Sequence, residues 1–151
     1  MDNEDGLSTQ VPPLDSFNKP DWFLQLLIDI CNKTDFSLSI TLNVNGLLVT
    51  GNLIGGEKYF NGFANDLKMA GMPAEVTDLF KQFGDIYIKQ KEQKNSKKDD
   101  ETISPPQYIH LENARIFHPG GNLIPTNHGV WWRGRLDAID GFILGAFSID
   151  R

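Results

Sequence analysis

The clearest pattern in the chain is an alternation of apolar and polar residues over positions 37–44. Leucine, isoleucine and valine occupy every second position, and serine, threonine and asparagine lie between them. A period of two predicts a strand with one buried face. Asn45-Gly46 follows and favours a type I′ turn, because both central residues of that turn need positive φ. The sequence therefore predicts a hairpin of strands 37–44 and 47–54.

The length of this turn also predicts the register of the hairpin. A two-residue turn gives the pairs Val44–Leu47, Leu42–Val49, Ile40–Gly51 and Leu38–Leu53. One face of the hairpin is then apolar throughout, as a half-buried strand pair requires. Gly51 opposite Ile40 removes a side chain from that face and permits a sharp bend.

Helical periodicity appears on both sides of the hairpin. A first helix is predicted to start near Pro20, with Asn18 as its cap and Asp21 favoured by the positive end of the helix dipole, and to end near residues 32–33. Apolar stripes of period 3.6 return over residues 57–90. They are interrupted by a glycine and a proline near residue 72, so they predict a helical hairpin. At residues 85–88 two interpretations remain open, a continued helix or a turn into strand.

Strand periodicity returns in the last third of the chain. Residues 107–117 alternate with a change of parity near Asn113, which predicts a β-bulge. Segments 129–139 and 142–149 predict a second hairpin turning at Asp140-Gly141. In the register of that hairpin, glycines lie opposite large residues, and the pairs are Gly134–Phe147 and Leu136–Gly145.

Together these elements predict an α+β fold. An N-terminal helix precedes five short, strongly bent antiparallel strands that form a small closed or half-closed barrel, and a helical insertion separates strands 2 and 3. The length of 151 residues fits one domain, predicted over residues 18–151. Residues 1–17 are predicted to be an acidic disordered arm, and the lysine-rich segment 89–104 a mobile loop.

Charge and cysteine content exclude several classes of protein. The net charge is −6, which argues against nucleic acid and anionic lipid as partners. Cys31 is the only cysteine, so no internal disulfide forms, and its apolar helix context indicates a packing residue. No apolar run is long enough to span a membrane, and the acidic start is unlike a signal peptide. These features favour a cytoplasmic protein.

Catalytic and metal-binding constellations are weak in this sequence. The three histidines are His110, His118 and His128, and only the fold would bring them to a third ligand such as Glu112. No Gly-rich phosphate loop follows a strand, and no nucleophile has a base at a suggestive spacing. We therefore expect no cofactor, no metal and no enzymatic activity. A small enzyme built on the histidines is kept as a third hypothesis.

The candidate binding residues are Trp131, Arg133 and Arg135. They share the outer face of a predicted strand, whereas Trp132 points inward. Exposed tryptophan between arginines is typical of protein interfaces, and it also suits stacking with bases. The alternative is structural. In that interpretation Trp131 packs beneath a helix, and the arginines pair with the acids at positions 137 and 150.

Four blocks of the chain resemble the gas vesicle accessory protein U family. They are FSLSITLNVNGLLVTG (36–51), EKYFNGF (57–63), YIHLENARIF (108–117) and GVWWRGRLDAIDGFILGAFS (129–148). The resemblance implies a non-enzymatic bacterial protein, associated with buoyancy-giving vesicles in the cytoplasm. It also implies a role in vesicle assembly or clustering, through self-association and binding to shell or other accessory proteins. No ligand residues are transferred with it. The matching positions at turns and bends are expected to fix the fold, namely Asn45, Gly46, Gly51, Gly134, Asp140 and Gly141.

A fold-level resemblance to Sm-like small barrels gives an alternative. Residues 57–61 are similar to the segment that follows the second strand in that family, and Arg133-Gly134 is similar to its Arg-Gly before the last strand. This resemblance implies binding of single-stranded RNA around a pore. The net charge and the helical period after Asn61 depart from the Sm-like pattern, and fold analogy alone does not carry function.

Overall fold

The structure, a computed structural model, describes residues 20–93 and 105–147. The predicted arm, most of the predicted loop and the last four residues lie outside that part of the chain. The described helices are α1 (Trp22–Lys33), α2 (Gly56–Met69) and α3 (Ala74–Gln93). The described strands are β1 (Leu38–Val44), β2 (Leu47–Ile54), β3 (Tyr108–Phe117), β4 (Leu123–Ile124), β5 (Val130–Arg135) and β6 (Gly141–Leu144).

The strands form one antiparallel sheet that is open rather than closed. Its order is β4-β3-β2-β1-β6, and β5 also pairs with β3. The predicted α+β class, N-terminal helix and helical insertion after the second strand are confirmed. The sheet does not close into a barrel, because β6 is one edge and β4 and β5 share the other. The short strand β4 was not predicted.

The first hairpin has the predicted register. All four expected pairs are present, including Ile40 opposite Gly51. Asn45 has φ 53° and Gly46 has φ 85°, as a type I′ turn requires. At Gly51 an added Cβ would lie 3.0 Å from the carbonyl oxygen of Glu112. The missing side chain therefore lets β3 approach β2 at the irregularity in their pairing.

We expect Gly46→Ala and Gly141→Ala to change stability in opposite directions. Gly46 has a left-handed backbone, so alanine there should lower the free energy of unfolding by about 1 kcal/mol. Gly141 lies outside that region, and a Cβ there meets nothing within 4 Å. Alanine at 141 should be neutral or raise stability by up to about 1 kcal/mol, by restricting the unfolded chain. Urea unfolding of both variants measures the difference, and equal losses would contradict the turn assignment.

The main core lies between α1 and one face of the sheet. Asp21 caps α1, because its Oδ1 accepts hydrogen bonds from the backbone N–H groups of Phe23 at 2.7 Å and Leu24 at 3.4 Å. The helix buries Leu24, Ile28 and Cys31. The cluster that they join is Ile40, Leu42, Val49, Leu53, Ile109, Leu111, Ala114 and Leu136. Cys31 is thus a packing residue, as the sequence indicated.

The opposite face of the sheet is covered in part by α2 and α3. Residues 85–88 continue α3, so of the two interpretations that the sequence left open, helix or strand, the helix is correct. The helix ends at Gln93, inside the segment 89–104, and residues 94–104 lie outside the described residues. The predicted bulge at Asn113 is confirmed. Its φ is 51°, and the pairing of β3 with β5 shifts at this point.

The predicted second hairpin is wrong. The segment 129–139 is strand only to Arg135, and Leu136–Ala138 forms a single 3-10 turn. β5 pairs with β3, and β6 pairs with β1 across the sheet. Gly134 therefore lies opposite Ile109 rather than Phe147.

Burial of Leu136 explains the separation of β5 from β6. Its side chain enters the core, and its backbone N–H donates to the carbonyl oxygen of Gln107 at 2.9 Å. The chain then leads Asp140 to the first turn, where its Oδ2 accepts from the backbone N–H of Asn45 at 2.9 Å. Asp140-Gly141 thus connects the 3-10 turn to β6 and braces the first hairpin instead of turning a second one.

Candidate functional site

Trp131 joins α2 to the sheet. Its ring lies against Gly62, where a side chain would overlap the indole. Its Nε1–H donates to Oδ2 of Asp66 at 2.6 Å. Trp131 is half-buried in this position, so for this residue the structural interpretation from the sequence describes the observed packing.

Arg133 is the most unusual of the three predicted residues. Its guanidinium lies 3.8 Å from the centre of the Tyr108 ring, within the range of a cation–π contact. Its Nε–H donates to Nε2 of His110 at 3.1 Å. In the part of the chain that the structure describes, it forms no ion pair with a carboxylate. Among the described residues, the exposed guanidinium therefore lies on the Tyr108 ring without a carboxylate beside it.

Arg135 lies beside Arg133 on the same face of β5 and is directly opposite Tyr108 on β3. Its side chain is 68% exposed, and its Nε is 3.5 Å from Oδ1 of Asp137, a loose surface pair. Asp150, the other predicted partner, lies outside the described residues. Tyr108, Arg133 and Arg135 together form an exposed surface that we call the arginine–tyrosine patch.

His110 supports this patch from below. It is 1% exposed and lies among aromatic rings, with Tyr59 at 4.7 Å and Phe60 and Tyr87 each at 5.8 Å between ring centres. Burial, helped by the charge of Arg133, lowers the pKa of His110 from 6.5 to about 3. The imidazole is therefore neutral at physiological pH, and its Nε2 lone pair can accept the hydrogen bond from Arg133.

The aromatic residues around His110 form one cluster between the helices and the sheet. Burial raises the pKa of Tyr59 and Tyr87, so both phenols stay protonated near neutral pH. The ring-to-ring contacts join Tyr59, Phe60, Phe63, Phe80, Phe83 and Tyr87. Such contacts stabilise beyond the area that they bury. The cluster contacts Arg133 from behind, because the guanidinium lies 6.0 Å from the centre of the Phe60 ring and Nε–H donates to His110 within the cluster.

Sequence reasoning missed the burial of His110. The alternation in β3 places it on the face opposite Ile109 and Leu111, which a single-sided sheet would leave in solvent. The signal was present in the helical insertion, whose stripes are rich in phenylalanine and tyrosine and need a surface to cover.

The other residues considered for chemistry lie apart from the patch. His118 is exposed in a loop, and its Nδ1 accepts from the backbone N–H of Gly120 at 3.1 Å. His128 is exposed in the connection before β5. Burial raises the pKa of the Cys31 thiol to about 11, so it stays protonated and unreactive.

Two positions that carried the Sm-like resemblance are placed differently from the loops of that pattern. Asn61 lies within α2, and Arg133-Gly134 lies inside β5. The helix α2 begins directly after β2, where an Sm-like barrel would continue with a strand. The open sheet therefore lacks the paired loops on which the RNA hypothesis depended.

An open antiparallel sheet with helices on both faces defines an α+β protein, and an exposed cationic patch lies at one edge of its sheet. A family model described as gas vesicle protein GvpU-like matches residues 21–147, and the chain belongs to this family of gas vesicle accessory proteins. Comparison with curated proteins and with solved structures gives no significant match. Among the described helices, none has both the length and the apolar character needed to cross a membrane.

Proposed function

We propose that this chain is a non-enzymatic accessory protein that acts in gas vesicle assembly or clustering. In this proposal it self-associates and binds vesicle shell or other accessory proteins, at vesicles in the cytoplasm. Family membership supports the association with vesicles. The observation that carries the binding role is the arginine–tyrosine patch, in which the Arg133 guanidinium lies on the Tyr108 ring and pairs with no carboxylate among the described residues.

The charge distribution indicates what this patch binds. The chain carries 20 acidic and 14 basic residues, so two adjacent exposed arginines are a local exception on an acidic molecule. Residues 1–17 contain acids and no lysine or arginine. An acidic protein segment, in a vesicle protein or in the arm of another copy, complements the patch. Nucleic acid fits less well, because the net charge of −6 repels it.

The buried groups support a binding role over catalysis. His110 is neutral well below physiological pH, and the Cys31 thiol is protonated well above it. General acid–base catalysis works best with a pKa near the operating pH, and nucleophilic cysteines need a lowered pKa. The pKa values of His110 and Cys31 therefore lie outside the range that acid–base or nucleophilic catalysis requires.

Flotation with isolated gas vesicles tests the binding role. Vesicles rise on centrifugation, and bound protein rises with them. We expect the native chain to float with vesicles and Arg135→Glu to raise the dissociation constant for vesicles about fivefold, because one exposed charge contact contributes about 1 kcal/mol. Lys81→Glu is the matched control. Lys81 is exposed on α3, outside the patch, and the charge change is identical.

The results separate three outcomes. Lys81→Glu should float within about twofold of the native chain, since a single surface charge away from the interface has little effect. Equal losses in the two variants would show that net charge, not the patch, controls binding. If the native chain stays below the vesicles at every salt concentration, the binding role is refuted.

A further inference from the structure

The helix α3 carries an exposed apolar stripe. Its inner side, with Thr77, Gly84 and Tyr87, packs against the rest of the molecule. On a neighbouring side Leu79 is 48% exposed and Ile86 is 58% exposed. Phe83 lies between them, with half-buried Val76 one turn before. We call Val76, Leu79, Phe83 and Ile86 the α3 stripe.

The spacing of the α3 stripe is that of a helix–helix seam. Its members are separated by three, four and three residues, the a and d positions of a heptad pattern. Exposed charges on the helix lie away from these positions. Asp78, Lys81 and Asp85 occupy positions c and f, on the side that such a seam leaves in solvent.

The stripe is complementary to a copy of itself running in the opposite direction. In an antiparallel pair, Leu79 faces Phe83 of the second copy, and Val76 faces Ile86 of the second copy. A two-fold axis repeats both contacts, so each apolar side chain of the stripe meets another. An interface with two-fold symmetry requires this self-complementarity.

Charge at the two ends of the stripe selects the same direction. Glu75 and Lys89 occupy equivalent flanking positions, 14 residues apart in the sequence, and both are exposed. Neither forms an ion pair within the described residues. An antiparallel pair places Glu75 beside Lys89 of the second copy, twice by symmetry. A parallel pair would bring like charges to the same end.

We propose that α3 forms a two-fold antiparallel interface between two copies of this chain, centred on the α3 stripe and flanked by Glu75–Lys89 pairs. This inference rests on the proposed function, because it names the surface by which the protein self-associates. The interface shares no residue with the arginine–tyrosine patch. A dimer therefore presents two patches, and bivalence is what linking two vesicles requires.

Sedimentation equilibrium of the full chain over a range of concentrations tests the interface. We expect a dimer whose dissociation constant rises at least about 100-fold in Leu79→Ser/Ile86→Ser, which removes central apolar contacts from both helices. The fold should be kept, since both side chains are exposed, and thermal unfolding checks this. Ile143→Ser is the control. Ile143 is 54% exposed on edge strand β6, and its loss should change the constant less than about threefold.

Charge reversal tests the antiparallel direction separately. Glu75→Lys and Lys89→Glu should each raise the dissociation constant about tenfold, because each creates two like-charge contacts per dimer. The combined variant exchanges the charges and should return the constant to within about threefold of the native value. Additive losses in the combined variant would contradict the pairing.

The outcomes distinguish this inference from the proposed function. If the native chain dimerises and only Ile143→Ser prevents it, self-association occurs through the β6 edge and the α3 interface is refuted. If both variants dimerise like the native chain, α3 is likewise refuted while self-association stands. A native chain that stays monomeric at all concentrations refutes both the interface and the self-association in the proposed function.

Discussion

Gly134→Ala is expected to lower the free energy of unfolding by about 2–3 kcal/mol. Gly134 lies opposite Ile109 in the sheet, on the face that holds the main core. The Trp132 ring covers Gly134 so closely that an added Cβ would overlap the far edge of the indole. Because Trp132 packs against the core cluster, the ring cannot move aside without losing buried contacts. Urea unfolding measures the loss.

Shortening the tryptophan should relieve this overlap. Trp132→Leu alone should destabilise by removing ring contacts, but Gly134→Ala should cost less than about 1 kcal/mol in that background. Gly120→Ala is a control at an exposed loop glycine, where the nearest atom to an added Cβ is His118 Nδ1 at 3.2 Å. Equal costs of Gly134→Ala with and without the tryptophan would show that another contact is responsible.

His110 is expected to make the protein less stable in mild acid. In the folded state its pKa is lowered from 6.5 to about 3. Between these values the unfolded chain binds a proton and the folded chain does not, so stability falls as the pH falls below 6.5. One such group changes the free energy of unfolding by about 1.4 kcal/mol per pH unit, or about 2 kcal/mol at pH 5.

Protonation of carboxylates also changes the stability of a protein in acid. Comparison of the native chain with His110→Gln isolates the contribution of His110. Glutamine keeps an acceptor for Arg133 but does not titrate. We expect the stability advantage of the native chain over this variant to shrink by about 2 kcal/mol between pH 7 and pH 5. His118→Gln is the matched control, because it makes the same substitution at an exposed loop position outside the aromatic cluster. Parallel profiles for the native chain and His110→Gln would contradict the neutral buried imidazole.

Local signals in the sequence predicted local structure well. The first hairpin has its expected turn and register, because Asn45-Gly46 and a strict alternation specify both. The bulge at Asn113 follows from a change of parity within one strand. The first helix starts at Trp22, close to the predicted start near Pro20, but the predicted cap was wrong, because Asp21 rather than Asn18 caps the helix.

Pairing between distant strands was not predictable in the same way. The run from Gly141 to Phe147 consists entirely of apolar residues and glycine, so its pattern does not specify which parity faces the core. The sheet places Phe142 beside Leu42 and therefore on the core face, with Ile143 on the other. The Asp140-Gly141 pair suggested a turn between β5 and β6. Instead, Leu136 is buried in a 3-10 turn after β5, and β6 pairs with the edge of β1.

The candidate site was predicted in part. Trp131, Arg133 and Arg135 share one face of a strand as the alternation indicated. Their different environments depend on contacts across the molecule, with α2 over Trp131 and Tyr108 under Arg133. Such contacts follow from the packing of the helical insertion on the sheet, which a single sequence does not specify.

Clustering of isolated gas vesicles by the purified protein tests the central claim most directly. The claim is that copies bound to different vesicles associate with one another. Light scattering of dilute vesicles should show particle size increasing with added native protein, and Leu79→Ser/Ile86→Ser should bind vesicles without enlarging the particles. Vesicles that stay single at every concentration of native protein would contradict the account.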